Sequence, residues 1–152
     1  MLGATLIKKR PIILVVDDVE KLLKTVHDTF IAEGFRVIKA NDAITALFIL
    51  ARRNPDLIIL DIMMPKYDGF QALDMIRSHS SVPVIMLTCL DDQNSLHKSL
   101  VDGGADGYIT KPFSLKLLVS MVKAKLRRVE SPIPYTVSKL DNKSGDVNNG
   151  EE

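Results

Sequence analysis

Five short apolar runs, separated by segments with helical spacing, constrain the fold of this chain more than any other feature. They are rich in Val, Ile and Leu and do not alternate strictly with polar residues, which is typical of strands buried on both faces of a sheet. The runs lie at Ile12–Val16, Phe35–Ile38, Leu57–Leu60, Val84–Leu87 and Tyr108–Ile109. The sequence therefore predicts five buried strands.

The segments between these runs carry apolar residues that recur every three or four positions, as on one face of a helix. In the first segment these are Val19, Leu22, Leu23, Val26 and Phe30. In the second they are Ala43, Ala46, Leu47 and Leu50. The third, fourth and fifth helices are predicted at Gly69–Ser78, Asp92–Asp102 and Leu115–Val129.

Helix-ending and helix-starting residues agree with this alternation. Gly34 and the pair Gly103 and Gly104 lie where helices should end, and Ser114 lies where an N-cap should precede Leu115. Parallel strands need crossover connections, and right-handed crossovers place helices on both faces of the sheet. We therefore predict an α/β fold of three layers, a doubly wound parallel sheet.

Length and composition are those of one ordinary globular domain. The chain has 152 residues, 46% of them hydrophobic, with 20 Lys and Arg against 19 Asp and Glu, so bulk charge gives no indication of nucleic-acid binding. Residues 1–10 are predicted to be an N-terminal extension, 11–130 the domain, and 131–152 a flexible tail or linker rich in polar residues, Pro and Gly. The single cysteine, Cys89, cannot form an internal disulfide, so we expect a cytoplasmic protein. No apolar run reaches the ~20 residues of a membrane span.

Polar residues follow the predicted strands at the end where α/β sheets bind their ligands. They are Asp17 and Asp18 after the first strand, Asp61 after the third, Thr88 after the fourth and Lys111 after the fifth. All five should face one crevice. Taken alone, each residue could also be an ordinary turn, cap or strand residue. Their joint occurrence at four strand ends favours a functional site.

The types of these residues indicate phosphate and metal chemistry. Three converging carboxylates would repel one another without a cation, and an open site made of oxygen ligands suits Mg²⁺. A cis peptide bond before Pro112 would aim the Lys111 ammonium into the crevice, where it could bind a phosphate oxygen. The hydroxyl of Thr88 could donate a hydrogen bond to the same group.

Four segments in order, VVDD, LIILDIMMPKYDGF, VIMLT and GGADGYITKPF, resemble the response-regulator receiver family of two-component signalling. The resemblance extends over Pro11–Arg128. It implies a flavodoxin-like (βα)5 fold whose five parallel strands have the order 2-1-3-4-5.

The resemblance also implies a role for each acidic residue. Asp61 would accept a phosphoryl group from the phosphohistidine of a sensor histidine kinase or a phosphotransfer protein. Asp18 would bind Mg²⁺ directly, Asp17 largely through water, and Asp61 and the backbone carbonyl of Met63 would complete the protein ligands. Such a protein assists its own phosphorylation and dephosphorylation and is not an enzyme in the usual sense.

The remaining site residues would transmit the signal. Lys111 would neutralise the phosphoryl group, while Thr88 and Tyr108 resemble the family's switch pair, in which hydroxyl and ring move together. The surface formed by the fourth helix, fifth strand and fifth helix would then change and control an output domain or partner. The domain itself is expected to contact neither nucleic acid nor membrane.

The fifth helix resembles that of transcriptional regulators with a winged-helix output domain, but three positions depart from that subclass. Gly107 and Leu117 replace acids and Met121 replaces a base, so the usual salt-bridged dimer is not expected. Leu117 and Met121 lie four residues apart, and we predict that they form an exposed apolar patch for a partner or a second copy.

Other functions fit less well. A haloacid-dehalogenase-type phosphatase needs a second aspartate two residues after Asp17, where Val19 stands, and a flavodoxin needs a phosphate-binding loop that the acidic residues here would oppose. A receiver-like interaction module that does not use phosphate remains the main alternative. Cys89 either modulates access to the site or is a small buried hydrophobe. His27, His79 and His97 lack metal-ligand spacing and are assigned no chemistry.

Overall fold

The five predicted strands are present in the computed structural model, which describes residues 9–62, 64, 68–89 and 102–130. They are β1 (Ile12–Val16), β2 (Arg36–Ala40), β3 (Leu57–Asp61), β4 (Val84–Thr88) and β5 (Gly107–Thr110). All pair in parallel in the order β2-β1-β3-β4-β5. The doubly wound, flavodoxin-like fold is confirmed, and the carboxyl ends of all strands meet at one edge of the sheet.

Within the described residues, four helices cover the two faces of the sheet. They are α1 (Glu20–Ala32), α2 (Ala43–Arg53), α3 (Gly69–Arg77) and the C-terminal helix (Leu115–Glu130). Buried side chains of α2 and α3 pack on one face, and those of α1 and the C-terminal helix on the other. The predicted fourth helix, Asp92–Asp102, lies outside the described residues apart from Asp102. None of the helices in the described ranges is both long and apolar enough to cross a membrane.

Burial on both faces is confirmed for β1, β3 and β4, every residue of which is buried. The prediction is wrong for β2 and β5, which contain exposed residues such as Arg36 and Tyr108. These two are the edge strands, so each has only one neighbouring strand and one side that no strand covers.

Some strand boundaries differ slightly from those predicted, and two of these differences concern site residues. Asp61 and Thr88 are the last residues of β3 and β4 instead of following them, because Asp61 pairs with Leu87 and Thr88 with Thr110 in the sheet. Conversely, Phe35 was predicted to begin the second strand, but its N–H still bonds the Phe30 carbonyl at 3.0 Å. The hydrogen-bonded turn that follows α1 therefore includes Phe35, and β2 begins one residue later than predicted, at Arg36.

Turn geometry at three predicted positions is confirmed. Gly34, just beyond α1, has a φ of 94°, and Gly104 has a φ of 80°. Both values lie in the left-handed region, which glycine adopts at little cost. Ser114 accepts a hydrogen bond on its Oγ from the Leu117 N–H at 3.2 Å and so caps the C-terminal helix.

Candidate functional site

Charged side chains from three strand ends meet at the carboxyl edge of the sheet. The Lys111 Nζ lies 3.1 Å from Asp61 Oδ1 and 3.7 Å from Asp17 Oδ2. Lys111 follows β5 directly, and its peptide bond to Pro112 is cis, as the sequence analysis considered. The Lys111 N–H donates to the Thr88 carbonyl at 2.7 Å, which ties this loop to the end of β4. The structure thus brings together residues that lie up to about a hundred positions apart in the sequence.

Three carboxylates form the acidic part of the site. Asp17, Asp18 and Asp61 can each present one oxygen such that all three lie within 4.8 Å of one another. Asp17 and Asp61 are buried, whereas Asp18 is exposed. Oxygen ligands on a partly open edge are the donors that Mg²⁺ prefers. The residues present therefore fit a divalent cation of this type.

The two oxygens of Asp17 have different surroundings. Asp17 Oδ1 accepts a hydrogen bond from the Val19 N–H at 2.9 Å, an arrangement that orients the carboxylate at the start of α1. Asp17 Oδ2 is buried and has no hydrogen-bond partner within the described residues. A buried oxygen of this kind usually has a partner, and the Lys111 ammonium at 3.7 Å is beyond hydrogen-bond distance. This oxygen is where a metal ion or its bound water would fit.

Burial and neighbouring charges also change the acidity of the site. Burial is the largest effect and, with the negative charge of Asp61, raises the pKa of Asp17 from 3.8 to about 6. The Val19 N–H and the Lys111 charge lower this pKa but do not outweigh the increase. An ionised Asp17 is therefore costly in the protein without a metal, as expected for a group that a cation stabilises.

The pKa of Lys111 shows the opposite balance. Burial is the largest single effect and lowers it, but the hydrogen bond to Asp61 and the charges of Asp61 and Asp17 together raise the pKa above 10.5. Lys111 is therefore a cation across the physiological pH range. Its ammonium contacts the carboxylate of Asp61, for which the family resemblance implies the role of phosphoacceptor.

Thr88 and Tyr108 occupy the same face of the sheet. Tyr108 is aligned with Met86 across β4 and β5, and Met86 and Thr88, two residues apart on one strand, point to the same side. Thr88 is fully buried, whereas the Tyr108 side chain is 36% exposed. Tyr108 is therefore partly exposed in this structure, on the face of the sheet that also carries Thr88.

Gly69 is a site residue to which the sequence analysis assigned no role. A Cβ atom at this position would overlap the Cα of Ile62 and lie 2.7 Å from the Asp61 carbonyl oxygen. The Gly69 N–H also donates to the Ile62 carbonyl at 2.7 Å. The first residue of α3 therefore packs directly on the backbone that carries Asp61. The signal available in the sequence was a glycine, a poor helix former, at the first position of a helix.

We expect Gly69→Ala to displace the Asp61 backbone, lower the free energy of unfolding by about 1 to 3 kcal/mol and weaken Mg²⁺ binding. Gly34→Ala is the matched control, since its φ of 94° strains any side chain while nothing lies within 4 Å. It should cost about 1 to 2 kcal/mol without changing Mg²⁺ affinity. Denaturant unfolding and titration calorimetry measure the two effects. Equal Mg²⁺ affinities in both variants would contradict the expected displacement.

Several other predicted residues have different outcomes. Met63 lies outside the described residues, so the predicted role of its carbonyl stays a prediction. Cys89 is exposed, so its interpretation as a buried hydrophobe is wrong.

Leu117 is 51% exposed, as predicted, but Met121 is only partly exposed and packs against the core beneath the C-terminal helix. The predicted patch is therefore smaller, because Met121 turns toward Gly107, which has no side chain to exclude it.

Comparison with known proteins agrees with this geometry. The sequence model of the response regulator receiver domain matches residues 13–123. A probable transcriptional regulator, ycf27, of Porphyridium aerugineum is 42% identical over 118 residues, which are 78% of this chain and 49% of the relative. The alkaline phosphatase synthesis transcriptional regulatory protein PhoP of Bacillus subtilis is 38% identical over 136 residues, 89% of this chain and 56% of the relative.

A solved structure shows the same likeness in three dimensions. The receiver domain of the Francisella response regulator 1452 has a TM-score of 0.74 and 34% sequence identity, covering 79% of this chain and 99% of that one. This chain spans about half the length of the curated relatives it matches. The acidic cluster, the Lys111 contact and the parallel sheet are thus found in a chain that belongs to the response regulator receiver domain family of two-component systems.

Proposed function

We propose that this protein is a phosphorylation-dependent signalling switch in which Asp61 accepts a phosphoryl group. The observation that carries the proposal is the contact of 3.1 Å between the Lys111 ammonium and a buried Asp61, next to the acidic pair Asp17 and Asp18. A cation beside the nucleophile can neutralise the negative charge of an incoming phosphoryl group. Asp61 lies at the end of a fully buried strand, which holds the carboxylate in one position.

The donor we propose is the phosphohistidine of a sensor histidine kinase or a phosphotransfer protein. A carboxylate oxygen of Asp61 attacks phosphorus, the phosphorus–nitrogen bond breaks, and the leaving imidazole takes up a proton. In phosphoryl transfer, most catalysis comes from positioning and charge neutralisation. Lys111 supplies one positive charge, and Asp17, Asp18 and Asp61 would hold Mg²⁺. When bound, the metal would neutralise phosphoryl oxygens.

The output of the switch is proposed to be a changed surface around β5 and the C-terminal helix. Thr88 and Tyr108 lie on one face of the sheet, with the hydroxyl buried and the ring 36% exposed. Movement of the Thr88 hydroxyl toward an aspartyl phosphate would open space into which the ring could turn. An output domain or partner would respond to that change, and we propose that this occurs in the cytoplasm, where an unpaired Cys89 suits the reducing conditions.

Acetyl phosphate with Mg²⁺ tests the proposal directly. The wild-type protein should gain one phosphoryl group in intact-mass spectra, hydroxylamine should remove it as expected for an acyl phosphate, and chelation of Mg²⁺ should prevent it. The main alternative is an interaction module of the same fold that does not use phosphate. Failure of the wild type to form the adduct, with Mg²⁺ present, would favour that alternative.

We also propose that Leu117 contributes to a partner or dimer contact after phosphorylation. Leu117 and Ile44 are equally exposed, at 51% each, but Ile44 lies on α2, on the other face of the sheet. We expect Leu117→Glu to weaken self-association of the phosphorylated protein by at least about 5-fold, because a charge would enter an apolar contact. Ile44→Glu should leave it unchanged in sedimentation experiments. Identical behaviour of the two variants would contradict a role for Leu117.

A further inference from the structure

We propose that a cavity at the amino ends of β1, β2 and β3 binds a compact anion carrying several phosphate groups. Ile12 and Arg36, the first residues of two strands, line this cavity, as does Asp56 just before β3. It therefore opens at the edge of the sheet opposite Asp61. Its volume of about 320 Å³ is within the range of small-molecule sites. This proposal does not rest on the phosphorylation of Asp61.

Four cationic side chains, Lys9, Arg10, Arg36 and Arg53, line the cavity. None of them forms a salt bridge with another residue in the part of the chain that the structure describes. Several other basic side chains do, for example Lys24 with Asp28, Arg77 with Asp106 and Lys123 with Glu33. The overall charge of the chain is only +1, so four cationic residues around one cavity are a local excess of positive charge. A multiply charged anion would relieve the repulsion among these cations.

The acidic residue in the cavity does not neutralise these cations by direct contact. Asp56 Oδ2 accepts a hydrogen bond from the Ile12 N–H at 2.8 Å, which holds the carboxylate against the start of β1. Arg36 is held in place by its Nε, which donates to the Arg10 carbonyl at 3.0 Å. The terminal nitrogens of Arg36 form no hydrogen bond to a described residue, so they can donate to a ligand.

The kind of ligand follows from the donors and the shape. Guanidinium groups donate paired hydrogen bonds that match phosphate oxygens, and three of the four cations are arginines. A chain of phosphates can reach several cations at once, whereas a single carboxylate cannot. The concave surface favours a compact ligand, such as an inorganic polyphosphate or a nucleoside polyphosphate, over the convex backbone of duplex DNA.

The test is titration calorimetry of the full 152-residue chain with inorganic tripolyphosphate and with a nucleoside triphosphate, in the presence of EDTA. EDTA removes divalent cations that could join either ligand to the acidic site. We expect saturable binding to one site that weakens as salt is added. Tighter binding of the nucleotide would identify a nucleoside phosphate as the ligand, and equal binding would identify the phosphate chain itself.

Substitutions locate the site. Arg36→Gln and Arg53→Gln should each weaken binding by at least about 5-fold, since each removes a charged hydrogen-bond donor. Arg52→Gln is the matched control, because Arg52 neighbours Arg53 on α2 but its guanidinium lies 4.4 Å from the Phe48 ring centre. It should change affinity by no more than about twofold. Lys111→Gln, at the opposite edge of the sheet, should bind like the wild type.

Two results would overturn the proposal. One is no measurable binding of either ligand to a wild type that circular dichroism shows to be folded. The other is binding that Lys111→Gln weakens while Arg36→Gln and Arg53→Gln do not, which would place the anion at the acidic site. Circular dichroism spectra and denaturant unfolding of the two arginine variants that match the wild type would show that any loss of affinity is not a loss of folding.

Discussion

Asp61→Asn is expected to abolish phosphoryl incorporation from acetyl phosphate. The amide is a poor nucleophile and cannot form a stable acyl phosphate, while its size preserves the packing of a residue that is 1% exposed. In this variant Lys111 still has an ionic partner, because Asp17 Oδ2 lies 3.7 Å from its ammonium. Intact-mass spectrometry after incubation with Mg²⁺ should show one added phosphoryl group in the wild type and none in the variant.

The matched control is Asp74→Asn, which changes the same functional group on the exposed side of α3. It should be phosphorylated to the same extent as the wild type. Persistence of a hydroxylamine-sensitive adduct in Asp61→Asn would show that another carboxylate is the acceptor. Asp17 and Asp18 would then be the residues to test, since they are the other members of the acidic cluster.

Asp17→Asn is expected to stabilise the metal-free protein by about 2 to 3 kcal/mol at pH 8. Burial and the charge of Asp61 raise the pKa of Asp17 from 3.8 to about 6, and each pKa unit corresponds to about 1.4 kcal/mol. The Asn side chain has no charge to bury, and its amide oxygen can still accept the hydrogen bond from the Val19 N–H. Denaturant unfolding in EDTA, followed by circular dichroism, measures the difference.

The pH dependence of this effect has a definite sign. Between pH 4 and about 6, the folded protein holds the Asp17 proton more tightly than the unfolded chain does. The free energy of unfolding of the wild type should therefore fall relative to that of Asp17→Asn as the pH rises through this window, and the full cost is present above it. Below the unfolded pKa of 3.8, Asp17 is protonated in both states, so wild type and variant should be almost equally stable with respect to this residue.

Asp18→Asn serves as the control for this prediction. Asp18 belongs to the same cluster but is exposed, so its replacement should change stability by no more than about 0.5 kcal/mol. Mg²⁺ should stabilise the wild type by binding the folded state, and should stabilise Asp17→Asn much less. If Asp17→Asn and Asp18→Asn stabilised the protein equally, the cause would be the summed charge of the cluster. That result would contradict the role of burial.

Most of the architecture could be predicted from local patterns. The apolar runs that became β1, β3 and β4, the glycines after helices and the Ser114 cap depend on neighbours within a few residues, so the chain reveals them directly. The convergence of Asp17, Asp61, Thr88 and Lys111 was also predictable, because the ends of parallel strands share one edge. The sequence alone therefore determined the alternation of strands and helices and the residue types that meet at the strand ends.

Burial and close contact were decided only by the tertiary structure. Asp17 and Asp18 are adjacent in the sequence, yet Asp17 is buried, with one oxygen that accepts no hydrogen bond from a described residue, and Asp18 is exposed. Met121 turned out to pack on the core while Leu117 did not. Such differences depend on elements that are distant in the sequence and cover one side chain but not its neighbour.

The same reason explains the two features that sequence reasoning did not find. Gly69 is required because α3 approaches the backbone of Asp61. The basic cavity is lined by Arg36 of β2 and Arg53 of α2, which the fold brings together at the amino end of the sheet. Local spacing indicates which edge of the sheet a residue reaches. The distance between atoms across that edge is set by packing, which places Lys111 at 3.1 Å from Asp61 and lines the basic cavity with residues of several elements.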